Sequence, residues 1–297
     1  MEVAERGSGL PVPAVAWGTG AGALALLTLL VVVLTLFLPR LLGRPVTGLG
    51  CCCLVAALVL VRLPLAGWPP AGWVLVACDV GQGDALVLRV GSGSAVVVDT
   101  GPEPGLVDRC LDRLGVRRVP LLVLTHPHAD HVDGVSGVLE DRRVGVVETS
   151  GDAAYGSTRA FGSTTLQVLW PPPGHTTDNP NDASIVLLAE AAGVRMLLTG
   201  DVEPPSQLAL DRAWPGLRVD VVKVPHHGSR FQDRDWLVGL GARVAIVSAG
   251  ADNDYGHPAP ETLAAFTGAG TRVVRTDLDG DVAVVAEDGG IGVATSR

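Results

Sequence analysis

The sequence predicts an α/β fold for most of the chain. Two observations carry this prediction: short apolar strands alternate with helical patterns from residue 204 onward, and strands run into polar loops that contain His or Asp. Three such strands, at residues 119–125, 194–199 and 219–224, lead into His126, Asp201 and His226. Because α/β proteins build their sites where strands end at one sheet edge, these loops are the candidate functional region.

The elements follow from the pattern in chain order. Residues 74–99 predict three strands with glycine-rich turns, which permit a tight hairpin or a close approach of the backbone to another group. Apolar spacing predicts helices at residues 106–114 and 132–139. Residues 151–163 are small and polar and predict either a mobile flap or a surface loop. The later elements are strands at residues 144–147, 165–170, 183–188, 194–199, 219–224, 244–248, 271–276 and 281–286, and helices at residues 206–213, near Trp236 and at residues 261–266.

The N-terminal region has a different composition. Two long apolar runs without charge predict transmembrane helices at about residues 14–39 and 45–61. A secretory signal peptide is the alternative for the first run, but the apolar core of that run is longer than such peptides use. We therefore divide the chain into a membrane region, a linker and an α/β domain, at residues 1–66, 67–73 and 74–297.

The charges near these runs predict their orientation. Arg40 and Arg44 lie between the two runs, and the positive-inside rule places that connection in the cytoplasm, whereas Arg62 weakly opposes this. The α/β domain is then extracytoplasmic. The net charge of −9, with Lys223 as the only lysine, argues against nucleic-acid binding through a broad basic surface. A phosphodiester substrate remains compatible, because bound cations can supply the positive charge.

The five cysteines predict neither a disulfide framework nor a CxxC zinc site. Three are consecutive at residues 51–53 in the second apolar run, and Cys78 and Cys110 stand alone in apolar surroundings.

The strongest motif lies at residues 121–134, LLVLTHPHADHVDG, where an apolar strand ends in a cluster of polar residues. His126, His128, Asp130 and His131 are four potential metal ligands within six residues. Histidine and carboxylate suit Zn²⁺ or Mn²⁺, and a catalytic site keeps one position open for water. The alternative is a set of surface histidines beside a helix start that Asp130 caps.

HPHADH resembles the HxHxDH motif of the metallo-β-lactamase superfamily. The resemblance implies an αβ/βα sandwich that holds two divalent metal ions, Zn or Mn. It also implies the ligands: His126 and His128 for one ion, Asp130, His131 and His257 for the other, and Asp201 as a bridge. The family's third histidine has no clear equivalent here, and His175, Asn181 and Asp182 are the candidates for that position.

A narrower resemblance joins DVGQGDA, VVVDTG, NDAS, LTGD, VPHHGS and YGHP, which occur in this order in the carboxyl-terminal domain of ComEC/Rec2 DNA-internalisation proteins. It covers residues 74–285. In that family a multi-helix membrane channel precedes the domain, so two spans imply the tail of a longer ComEC-like protein, truncated or split, with channel subunits or the missing membrane part as partners. The implied function is a membrane-attached nuclease that acts on DNA, with a single strand as the expected substrate form.

The implied metal ligands do not include any residue of VPHHGS. Its polar residues His226, His227 and Ser229 are therefore candidate catalytic groups. A histidine here is expected to protonate the leaving alkoxide, with His227 favoured over His226, and the serine hydroxyl to bind phosphate. Asp130 is expected to orient the attacking water as well as bind metal.

Two other functions remain open: hydrolysis of a small or cell-wall phosphodiester, and a catalytically silent membrane module of a DNA-uptake channel. Metal content separates the silent module from both enzymes. Because the ligands lie in loops at a sheet edge, replacing His128 or Asp201 is expected to abolish hydrolysis at little cost in stability.

Overall fold

Two mixed seven-stranded sheets form the centre of the protein, in a computed structural model that describes residues 67–287 and 290–297. The first sheet contains β1 (Trp73–Ala77), β2 (Leu86–Gly91), β3 (Ser94–Val98), β4 (Arg118–Val123), β5 (Arg143–Glu148), β13 (Val282–Glu287) and β14 (Gly290–Thr295), in the order β14-β13-β1-β2-β3-β4-β5. The second contains β6 (Thr158–Phe161), β7 (Thr164–Trp170), β8 (Val186–Ala191), β9 (Val194–Leu198), β10 (Val221–Lys223), β11 (Val244–Val247) and β12 (Arg272–Arg275), in the order β12-β11-β10-β9-β8-β7-β6.

Each sheet contains a group of parallel strands, and the candidate loops follow the carboxyl ends of these strands. In the first sheet β3, β4 and β5 are parallel, and in the second β9, β10, β11 and β12 are parallel. The remaining pairs are antiparallel. Loops after β4, β9 and β10 therefore carry the His and Asp motifs, as strand ends in α/β proteins do.

Apolar residues form three buried clusters that stack the layers. One lies between the sheets and includes Leu121 and Ile246. The outer face of the first sheet is covered by α1 (Pro104–Arg113) and α3 (Ser136–Leu139), and that of the second by α4 (Pro204–Ala213), α5 (Arg234–Gly239) and α6 (Pro260–Gly268). Two more short helices are α2 (Ala129–Val132) and α7 (Thr276–Asp279). This layering confirms the predicted αβ/βα sandwich.

Local differences from the prediction have physical reasons. The helix predicted at residues 132–139 is two short helices, and Gly134 between them lies against the Thr100 carbonyl, where a side chain would overlap. Residues 151–163 contain β6, a short strand that the polar composition obscured. The last strand, β14, was not predicted because its sequence GIGVAT contains two glycines, which weaken a strand pattern.

One disulfide corrects the cysteine analysis. Cys78 follows β1 and is bonded to Cys110 of α1, with 6.0 Å between their Cα atoms and both side chains fully buried. The expectation that both stand alone was wrong, because the packing of α1 on the sheet joins residues 32 positions apart in the sequence.

The described residues contain no helix with the length and apolar character that a membrane span requires. The spans predicted at residues 14–39 and 45–61 lie outside the described residues.

Candidate metal centre

The histidine loop connects the end of β4 to the start of α2. His126 follows the strand, and α2 begins after His128, which places Asp130 and His131 on its first turn. The loop is anchored from below by Asp99, whose carboxylate accepts hydrogen bonds from the backbone nitrogen and the hydroxyl of Thr125, at 2.7 and 2.8 Å. The loop is therefore held rigidly at the sheet edge.

Side chains from both sheets converge on one oxygen of Asp201. Its Oδ2 lies 3.2 Å from Nε2 of His131, 3.4 Å from Nε2 of His227 and 3.9 Å from Nε2 of His126. Asp130 Oδ2 lies 3.1 Å from Nε2 of His227. Asp130, His131, Asp201 and His227 each offer a ligand atom within 4.8 Å of the others.

Two histidines in this cluster are oriented as metal ligands are. Nδ1 of His131 lies 2.8 Å from Asp99 Oδ2, and Nδ1 of His227 lies 2.9 Å from the Ser248 carbonyl oxygen. Each ring donates from Nδ1, so in the neutral form its Nε2 lone pair faces the cluster. Nε2 of His131 is buried and, although it lies 3.2 Å from Asp201 Oδ2, it makes no hydrogen bond of acceptable geometry among the described residues. This orphaned nitrogen and the oxygen- and nitrogen-rich donor set fit a divalent cation.

His227 reaches the cluster through an unusual backbone. His226, His227 and Gly228 have φ values of 48°, 53° and 79°, which are in the left-handed region that non-glycine residues avoid. The turn is closed by the Ser229 nitrogen, which donates to the His226 carbonyl at 2.8 Å. Such strain persists where surrounding structure fixes it, and it is concentrated at functional sites.

His226 and His257 lie beside the cluster. Nδ1 of His226 is 3.2 Å from Glu203 Oε1, and its ring centroid is 5.3 Å from that of His257. His257 was expected to be a ligand, but it lies outside the group of four, whereas His227 lies inside it. Ser229 is fully buried, and its hydroxyl accepts a hydrogen bond from the Phe231 nitrogen at 3.2 Å.

The three candidates for the missing histidine occupy different places. Asn181 lines the cavity above the cluster, and its Oδ1 is buried without a hydrogen-bond partner among the described residues. Asp182 Oδ1 instead accepts a hydrogen bond from the Glu203 nitrogen at 3.1 Å. His175 stacks edge-on against Trp170, with a centroid distance of 4.6 Å, and does not line the cavity.

A buried charged layer beneath the cluster was not predicted as part of the site. Nζ of Lys223, with its side chain fully buried, forms an ion pair with Asp84 and lies 3.5 Å from Oδ1 of Asp201. Asp84 also approaches Nδ1 of His227, at 3.4 Å. The loop of Asp84 fits closely under the histidine loop because Gly83 has no side chain to overlap the Asp130 carbonyl. The signal in the sequence was a lone lysine at the end of a buried strand.

Electrostatics in this layer favour ionised acids. Burial disfavours charge on Asp201, but His131, His227 and Lys223 outweigh burial and hold its pKa well below the ordinary value. Burial likewise opposes protonation of His131, but Asp201 and Asp99 raise its pKa to about 10. His126 differs, because burial and the neighbouring His131 lower its pKa to about 3. The ionised acids of the cluster thus favour a nearby positive charge. Without a metal ion, the proton on His131 supplies this charge.

Asp130, Asp201 and His227 of the cluster line an open cavity of about 360 Å³. The lining residues are Gln82, His128, Ala129, Asp130, Asn181, Asp201, His226, His227, Tyr255 and His257. A solvent-accessible cavity above convergent acids and histidines is the arrangement of a hydrolytic metal site.

The chain is similar to one protein-family model and to several curated proteins. The model of the metallo-beta-lactamase superfamily matches residues 78–187. ComE operon protein 3 of Bacillus subtilis (strain 168) is 27% identical over 279 residues, which cover 80% of this chain and 35% of that protein. Competence protein ComA of Neisseria gonorrhoeae is 28% identical, with coverage of 87% and 38%. Recombination protein 2 of Haemophilus influenzae (strain ATCC 51907 / DSM 11121 / KW20 / Rd) is 28% identical, with coverage of 71% and 29%.

The match over residues 78–187 and the cluster of Asp and His residues support a metal-binding hydrolase domain like those of the metallo-β-lactamase superfamily. Within that superfamily the domain is ComEC-like. The chain spans about a third of the length of these curated relatives.

Proposed function

We propose that this chain is a membrane-attached, metal-dependent phosphodiesterase that cleaves DNA during DNA uptake. The observation that carries the proposal is the cluster of Asp130, His131, Asp201 and His227, three of which line an open cavity, with His131 buried behind them. The names of two relatives, Competence protein ComA and Recombination protein 2, support DNA as the substrate. The net charge of −9 is compatible with this, since bound cations would neutralise the phosphate.

We assign ligands for two divalent ions, Zn or Mn, from the directions of the side chains. His126 and His128 would hold one ion, with Asn181 Oδ1 as a third donor, because that oxygen lacks another partner. Asp130, His131 and His227 would hold the second ion, and Oδ2 of Asp201 would bridge both. The geometry favours His227 over His257 because Ser248 directs its Nε2 into the cluster.

The ions would supply Lewis-acid chemistry, which activates water near neutral pH and neutralises charge on phosphoryl oxygens. Asp130 accepts a hydrogen bond from the attacking water and orients it. His226 takes the role of proton donor to the leaving oxygen, because Glu203 engages its Nδ1 at 3.2 Å and its ring lines the cavity.

An extracytoplasmic position of the domain is supported by the Cys78–Cys110 disulfide, because disulfides persist in oxidising compartments. Membrane attachment rests on the two spans predicted at residues 14–39 and 45–61. Channel subunits, or the membrane part of a longer ComEC-like protein, remain the proposed partners.

The test loads the full chain with Mn²⁺ or Zn²⁺ separately and follows cleavage of labelled single-stranded DNA and of a small chromogenic phosphodiester. His128→Ala should reduce both activities by more than about 100-fold, since even outer-shell substitutions at metal sites cost about 10- to 100-fold. Asp133→Asn, an exposed acid in the same loop, is the matched control and should leave both rates unchanged. Equal turnover in wild type and His128→Ala would contradict the proposed site.

A small phosphodiester is the second candidate substrate. None of the described residues that line the cavity is Lys or Arg, which favours a ligand with less charge than a nucleic acid strand. Hydrolysis of the small ester alone would support this candidate. A metal-free protein after incubation with either ion, measured by elemental analysis, would support the silent membrane module instead.

A further inference from the structure

An exposed aromatic side chain stands at the rim of the candidate metal centre. Tyr255 is 71% exposed and lines the cavity together with His226, His227 and His257. Its position in the lining of the cavity leaves one face of the ring available for a ligand ring to stack on. We propose that Tyr255 is a stacking platform for a nucleobase of a single-stranded nucleic acid, an inference that rests on the proposed phosphodiesterase function.

The ring is part of a row that leads into the site. Tyr255 stacks on His257 with 6.0 Å between ring centroids and 28° between the ring planes. The ring of His257 is in turn 5.3 Å from that of His226, the proposed proton donor. A strand whose base stacks on Tyr255 therefore lies at the rim of the cavity that contains the candidate metal centre.

The loop that carries Tyr255 is held in place by one side chain. Asn253 Oδ1 accepts a hydrogen bond from the His257 nitrogen at 3.2 Å, and its Nδ2 donates to the carbonyl oxygens of Gly250 and His257, at 2.6 and 2.8 Å. The Gly250 nitrogen donates to Gln82 Oε1 at 3.1 Å, which ties the loop to the other side of the cavity. A ring presented on a fixed loop loses little conformational freedom when it binds a base.

The charge of the cavity explains why stacking is needed. The described lining contains Asp130 and Asp201 but no Lys or Arg, so apart from the proposed metal ions no such cation is available to attract the backbone of a strand. Stacking on an aromatic ring is independent of sequence, because every base has a π face. Such a contact would allow a nuclease to bind strands of any sequence.

The test compares two oligonucleotides of equal length, one with normal bases and one with abasic sites, on the metal-loaded full chain. Tyr255→Ala should raise KM for the normal strand by about 5- to 100-fold, the range expected for loss of one stacked base. KM for the abasic strand should stay the same in both proteins. Tyr255→Trp should retain wild-type KM, and Phe231→Ala, which removes a 62% exposed aromatic outside the cavity lining, should have no effect.

Binding gives a readout that is independent of turnover. Fluorescence anisotropy with the same two strands should show weaker binding of the normal strand by Tyr255→Ala and no change for the abasic strand. An equal effect on both strands would overturn the stacking role. The small chromogenic ester separates the two proposals: if wild type hydrolyses neither the ester nor DNA, the phosphodiesterase function fails, whereas DNA cleavage without base dependence refutes the role of Tyr255 alone.

Discussion

At the scale of single residues, Lys223 and Asp84 determine how the carboxylate of Asp201, the proposed bridging ligand, is presented. Lys223 engages Oδ1 of Asp201 at 3.5 Å, so Oδ2 is the oxygen left for the histidines. Burial opposes the charge of Lys223, but Asp84 and Asp201 outweigh burial and raise its pKa. The lysine is therefore a permanent cation beneath the site.

Replacing Lys223 by Met should lower the free energy of unfolding of the metal-free protein by about 3–5 kcal/mol, because it leaves the buried carboxylate of Asp84 without its counter-ion. Urea denaturation measures this loss. The double variant with Lys223→Met and Asp84→Asn should recover part of it, since no buried charge is then unpaired. Additive losses in the double variant would show that the pair is not coupled.

Burial also changes the expectation for the ligands themselves. The loop position of Asp201 predicted little effect on stability, but its side chain is 1% exposed and contacts three cationic or polar partners. His128, which is only partly buried, is the ligand candidate whose replacement tests function with least disturbance of the fold.

The sequence predicted most of the site because four of its residues are in one short motif. HPHADH requires only local chain geometry, and the GD motif of Asp201 follows an apolar strand that is easily recognised. The direction of His227 was not predictable, since it depends on a left-handed backbone and on the Ser248 carbonyl, 21 residues away. The contact between Lys223 and Asp84 joins the end of β10 to a loop distant in the sequence, and no spacing rule specifies it.

At the scale of elements, α1 is joined to the first sheet by charge as well as by the disulfide. Arg113 at the end of α1 lies 2.5 Å from Oδ2 of Asp281, which is fully buried beside β13. The Asp79 nitrogen donates to the other oxygen at 2.8 Å. Burial nevertheless outweighs both partners and raises the pKa of Asp281 above its ordinary value of 3.8.

This shift predicts a pH dependence of stability. An acid whose folded pKa is raised makes the folded state bind more protons, so its contribution falls as pH rises from 3.8 through the folded pKa. The stability of wild type relative to Asp281→Asn should therefore decrease over that window. Denaturation at a series of pH values tests this.

Asp152 provides a control of opposite sign. Hydrogen bonds from the backbone and side chain of Thr149 lower the pKa of Asp152, so its contribution is present above pH 3.8 and is lost as pH falls. Wild type compared with Asp152→Asn should thus lose stability towards low pH. The same slope for both comparisons would contradict the assignment for Asp281.

Strands and helices were predictable where the apolar pattern was clean, as in β4 and β9. The pattern failed for β6 and β14, which owe their pairing to the neighbouring strands β7 and β13 and not to their own composition. Tertiary pairing often decides such short strands.

At the scale of the whole molecule, the site is assembled from both sheets. His131 follows β4 of the first sheet, whereas Asp201 and His227 follow β9 and β10 of the second. Ions held by ligands from both sheets would connect the two halves of the sandwich. Their binding energy then contributes to the stability of the folded domain.

Metal binding should therefore raise the unfolding temperature of the protein. At a free Mn²⁺ or Zn²⁺ concentration of about 100 times Kd, the stabilisation from one site is about 2.7 kcal/mol, and EDTA should reverse it. Asp201→Asn should abolish this shift because the oxygen on which the three histidines converge loses its charge. Asp133→Asn, in the same loop as the ligands but exposed, should keep the full shift. Because Asp201→Asn changes baseline stability, the quantity to compare is the difference between metal-loaded and EDTA-treated samples of each variant. A full shift in Asp201→Asn would show that the ions bind elsewhere and that the two sheets are not joined through this site.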